Sequence, residues 1–161
     1  MKRKVIFSTF CIFLTLAGLL ILIGVMVLQA RMDNWIGVYI LAASIVTLCA
    51  FAFVYSPQYV IVDDRAVNIR RALATKSIPL SEITDVRLSP PTMGTRRLLA
   101  SGGWFGYWGW YRENDLGRYF AYFGRSSDCF MLFLKDGRKY LLGCEDAPQM
   151  ADFITQHISV R

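Results

Sequence analysis

The chain has 161 residues, is 55% hydrophobic and 19% charged, and carries a formal net charge of +6. Two long apolar runs take up much of its first third, which leaves room for one small domain and no more. The positive charge is not a nucleic-acid signature: Lys2, Arg3 and Lys4 supply half of it, Arg31 and Asp33 cancel, and residues 56–161 mix 14 basic with 11 acidic side chains.

The first run spans Val5 to Leu28 and the second Trp35 to Tyr55, and neither contains an Asp, Glu, Lys or Arg. About 20 apolar residues are what a helix needs to cross a bilayer. The short link Gln29 to Asn34 makes the pair an antiparallel transmembrane hairpin. The basic N-terminus resembles the start of a signal peptide. However, the run is too long for a signal h-region and lacks the small residue that processing wants two positions before Ala30, so retention is expected. The clustering of Lys2, Arg3 and Lys4 then places both termini in the cytoplasm and the protein in the cell's inner membrane, multi-pass. Trp35, Tyr39, Tyr55 and Tyr59 fall where interfacial rings anchor a helix. Gly18, Gly24, Ala42, Ala43 and Ser44 admit close helix packing and hence a homo-oligomer, although no G-x-x-x-G is present.

From Tyr59 the period changes to two. Val60 and Val62 alternate, Asp63-Asp64-Arg65 turns, and Val67 and Ile69 share the next face, so a β-hairpin is expected directly after the membrane. Further strands are expected at Lys76 to Leu80 and Val86 to Leu88, the latter ended by Pro90-Pro91. Arg118 to Phe123, Cys129 to Leu134 and Lys139 to Leu142 follow, the last two joined at Asp136-Gly137. Asp146 is a good helix N-cap with Pro148 in the first turn. Met150, Phe153, Ile154, His157 and Ile158 recur on one face of a closing amphipathic helix. The domains are thus 1–56, the hairpin, and 57–161, a mainly antiparallel β sandwich or barrel capped by one C-terminal helix.

Strands closed by one such helix resemble a pleckstrin-homology (PH) fold. Tyr59 to Asp64, Ile78-Pro79-Leu80-Ser81-Glu82-Ile83 and, above all, Ser101-Gly102-Gly103-Trp104-Phe105-Gly106-Tyr107 with Leu116-Gly117 resemble the bacterial PH-domain membrane proteins. The resemblance covers about Tyr59 to Ile158 and implies a binding or scaffolding module and no reaction. It does not carry phosphoinositide binding across: Asp63 and Asp64 occupy the turn where inositol-phosphate-binding relatives place basic residues, and Phe153 stands nearest to their C-terminal tryptophan.

Between Gly94 and Gly117, Gly102, Gly103, Gly106 and Gly109 interleave with Trp104, Phe105, Tyr107, Trp108, Trp110 and Tyr111. Three readings stay open: a core of rings on a bent strand, a membrane or partner surface with Arg96, Arg97 and Arg112 reaching headgroups, or a small-ligand site. No Walker or G-x-G-x-x-G pattern supports the last. Glu113-Asn114-Asp115 lacks the ligand count of a calcium loop and reads as a solvated turn. His157 reads as a packed histidine, and no acid–base pair is evident.

The four cysteines lack metal spacing; Cys129 and Cys144 read as free buried thiols, with a bridge between them as the alternative. The expectation is a non-enzymatic module without cofactor, metal or nucleic acid, recruiting an unidentified protein partner. A lipid-headgroup sensor built on 101–111 and the nearby arginines is the alternative.

Overall fold

The computed structural model describes residues 1–92 and 94–159. The chain opens with a short strand, β1 (Lys2–Lys4), ahead of α1 (Thr9–Arg31) and α2 (Trp35–Tyr55). The second helix has the bounds expected from its apolar run. The first starts later than expected, because Ser8 caps it by accepting from the Cys11 amide, and because the residues before it are engaged elsewhere. Lys2, Arg3 and Lys4, read from sequence only as topology signals, pair with Ile61, Val60 and Tyr59. Val5 is buried in the core with its amide donating to Gln58 O at 2.9 Å.

The hairpin is therefore inserted between two neighbouring strands of one sheet. β2 (Pro57–Val62), β3 (Ala66–Arg71) and β4 (Thr75–Pro79) continue that sheet in the order β1-β2-β3-β4, antiparallel throughout. The Asp63 carboxylate closes the first turn by accepting from Ala66 N and Asn68 Nδ2, each at 2.9 Å. A single 3-10 turn at Leu80–Glu82 leads to the second sheet. This comprises β5 (Ile83–Leu88), β6 (Arg96–Ala100), β7 (Tyr107–Glu113), β8 (Gly117–Phe123), β9 (Cys129–Leu134) and β10 (Lys139–Gly143), in the order β5-β9-β10-β8-β7-β6. Among the described residues, the β8–β10 pair is its one parallel pairing.

The helix α3 (Ala147–Ser159) lays Met150 and Ile154 against a core shared by both sheets, with Val60, Ile69, Phe130, Leu132 and Leu142 among its members. Asp146 stands directly before it, at the expected N-cap position but with a positive φ of 52°, and its carboxylate forms an ion pair with Arg3 of β1 at 3.2 Å. The two sheets stay open rather than closing into a barrel. A second apolar cluster, including Tyr111, Tyr119, Phe123 and Met131, lies on the far face of the six-stranded sheet.

Cys129 and Cys144 are buried and free. Burial pushes the Cys144 thiol up to about 12 and raises Cys129 further, the neighbouring Asp128 adding to both. These thiols keep their protons in the folded state while those of the unfolded chain ionise near 9.0. Stability should therefore be intact below pH 9 and fall as pH rises toward 12. By pH 10 the loss should be on the order of 1 kcal/mol per thiol, read from denaturation midpoints at pH 8 and pH 10.

Candidate functional site

The segment 101–111 leaves β6, turns back and enters β7, and it does so against the two helices. Ser101 organises the turn: its hydroxyl lies 2.8 Å from Trp104 O and 2.9 Å from Gly106 O, and its carbonyl accepts from the Tyr111 hydroxyl at 2.5 Å. Thr15, one of the few hydroxyls in α1, ties the loop to the helix. Its Oγ1 donates to Cys11 O at 2.8 Å and accepts from the Phe105 amide at 3.2 Å. The Trp104 ring lies so close to Gly18 that a Cβ there would collide with it. Glycine at 18 thus serves this docking within the chain.

Trp108 approaches the other helix. Its ring stacks on Tyr55 at 5.3 Å and meets Phe51 at 5.8 Å, and the Arg71 guanidinium lies 5.6 Å from the Tyr55 ring. The indole nitrogens of Trp104 and Trp108 are buried with no acceptor among the described residues, so ring packing holds this junction.

The remaining candidates separate by strand alternation. Tyr111 points into the far-face cluster and is buried, which raises its hydroxyl pKa. Tyr107 stacks on Phe123 at 4.7 Å on the same side. The Arg97 guanidinium folds back over Gly102, so it is a loop contact and does not join Arg96. Gly103 and Gly106 bridge each other across the turn with positive φ.

Trp110 turns the opposite way and is 43% exposed, edge-on to Phe120 at 5.1 Å. Arg96 and Arg112 are also exposed and stand directly opposite one another. Arg112 in turn stands opposite Arg118, which carries no local signal in the sequence because it lies in an ordinary strand beyond the glycine-rich stretch. Only register reveals the row.

Glu113, expected in a solvated turn, is buried at 6% exposure and accepts a hydrogen bond from Thr92 Oγ1. Its neighbours Asn114 and Asp115 are exposed. His157 packs on Phe153 with ring centroids 4.1 Å apart, and its Nδ1 lies 2.8 Å from Phe153 O within α3.

An apolar cavity of about 500 Å³ opens between α2 and the second sheet, with Leu48, Phe51 and Tyr55 on one wall and Leu99, Trp108 and Trp110 on the other. Adjoining it across Leu99 and Trp110 is a hollow of about 440 Å³ whose wall includes Arg118.

Two long apolar helices, two mostly antiparallel sheets and a closing helix define a PH-like module carried on a hairpin. The family described as Bacterial PH domain matches residues 58–158, and the chain belongs to it. No curated protein and no solved structure matches the chain.

Proposed function

We propose that this protein is a non-enzymatic binding or scaffolding module, anchored in the inner membrane with both termini cytoplasmic, that recruits or assembles protein partners there. The observation that carries this reading is the fixed junction between domain and helices. β1 runs into α1, α2 runs into β2, and Trp104 and Trp108 pack on the helices from a third side. A domain held at three points cannot swing, so it presents a constant surface to a partner. The engagement of His157 within its own helix fits a role without turnover.

Among the surfaces left over, β4 ends the first sheet with one edge that no described strand pairs and could accept an extended segment of a partner by strand addition. A photo-crosslinking residue placed at Lys76 in the full chain, activated in native membranes, should trap the same protein band in repeated captures. The absence of any reproducible adduct there and at Thr75 would count against a recruiting role through this edge.

A further inference from the structure

The cavity between α2 and the second sheet, together with the row of arginines beyond it, forms a groove with one apolar end and one cationic end. We propose that it holds a single anionic glycerophospholipid of the adjacent leaflet, with an acyl chain in the cavity lined by Leu48, Phe51, Leu99 and Trp110 and the phosphate at Arg96, Arg112 and Arg118. The site is independent of any protein partner. It is also separate from the first hairpin turn, where Asp63 and Asp64 would repel phosphate.

The apolar end is placed by the helix. Leu48 lies seven residues before Tyr55, the end of α2, or about 10 Å along the axis at 1.5 Å per residue. On the other helix, Gly18 against Trp104 is nine residues beyond Thr9, or about 14 Å. If α1 and α2 cross a bilayer whose hydrocarbon is about 30 Å thick, these walls stand at the depth of acyl chains. Leu48 and Phe51 are 51% and 54% exposed and Leu99 is 79% exposed. Lipid is the medium that meets them at that level.

The cationic end is placed by register. Arg96, Arg112 and Arg118 occupy directly opposed positions on β6, β7 and β8, so neighbouring Cβ atoms are about 5 Å apart on one face. Like charges so placed repel. Yet none of the ion pairs among the described residues includes any of the three. Glu113, the nearest carboxylate in sequence, alternates to the other face and is buried there.

An anion with several oxygens relieves that repulsion and suits guanidinium geometry. The next row along the strands is Leu99, Trp110 and Phe120, which joins the arginines to the cavity without a break. Trp108 and Arg112 are four residues apart on β7, about 13 Å, a span that the glycerol and upper acyl chain of one lipid can bridge.

Brominated acyl chains test this, because bromine quenches indole fluorescence only at contact. The full chain with Trp35→Phe, which leaves Trp104, Trp108 and Trp110, would be reconstituted in nanodiscs of unlabelled phosphatidylcholine. Brominated phosphatidylglycerol or brominated phosphatidylcholine would then be titrated in. The expected result is half-maximal quenching at a mole fraction at least threefold lower for the anionic lipid. That preference should vanish in the triple variant Arg96→Gln, Arg112→Gln, Arg118→Gln. It should persist in Arg65→Gln, Arg70→Gln, Lys135→Gln, which loses the same charge elsewhere.

Equal quenching by the two lipids in the starting protein would overturn the proposal and leave the groove to an acidic amphipathic segment of another protein. Equal loss of preference in both triple variants would also overturn it, by reducing the effect to diffuse charge.

Discussion

Gly109→Val should destabilise the protein by on the order of 4 kcal/mol, enough to prevent accumulation of a folded second sheet. Gly109 has φ of +120°, a region that L side chains rarely enter, and it sits where β6 crosses close over β7. A Cβ there would stand 2.6 Å from Ala100 Cα and would also strike the Leu99 carbonyl oxygen. Both obstacles are backbone, so no rotamer change relieves them. Relaxation would require β6 to peel away, which would also release Ser101 and the loop it organises. Thermal unfolding of the detergent-solubilised full chain should show the loss. A midpoint within a few degrees of the parent would mean that the edge strand is far more pliable than its hydrogen bonding indicates.

The second large effect is expected just after the N-terminal strand. Val5→Asp should cost about 4 kcal/mol, because Val5 is 1% exposed within the shared core and a carboxylate there would lose its hydration among apolar side chains. The neighbouring Lys4→Ala should stay within about 0.5 kcal/mol, as Lys4 is exposed. Denaturant titrations of the pair separate the contribution of the N-terminal strand from that of its charges. Equal midpoints for the two variants would show that β1 is dispensable for the sheet.

Much of the architecture is legible in the sequence because its signals are local. Uninterrupted apolar runs give the helices. The alternation of Val60, Val62, Val67 and Ile69 gives the first hairpin, and Cys129 to Leu134 is a strand with the bounds its pattern suggests. The elements that escape the sequence reading have signals that belong to something else. Lys-Arg-Lys looks like a topology determinant, and its side chains do remain largely outside, while its backbone is what pairs with β2. β6 is an edge strand whose Arg96 to Leu99 are all exposed, so it lacks any alternation to read.

The candidate site follows the same logic. The rings of 104–111 are conspicuous, but their division among helix contacts, far-face core and open surface depends on the loop turn and the strand register. Trp104 and Trp108 go to the helices, Tyr111 to the core, and Trp110 to the groove. Arg118 joins Arg96 and Arg112 only across strands, and Thr15 meets Phe105 from ninety residues away in the chain. No window along the sequence contains these pairs.

The splice of the hairpin between β1 and β2 ties the biogenesis of the protein to its folding. β1 leaves the ribosome first and its partner β2 only after both helices. The first sheet can close only when the two ends of the hairpin emerge on the same side. A chain with only one of the two helices threaded across a bilayer would strand Lys2–Lys4 away from Pro57–Val62 and leave β2 with a bare edge, the kind of surface that invites aggregation and clearance. Correct insertion is thereby a precondition of the native sheet, and a topological error becomes a misfolded domain that quality control can recognise.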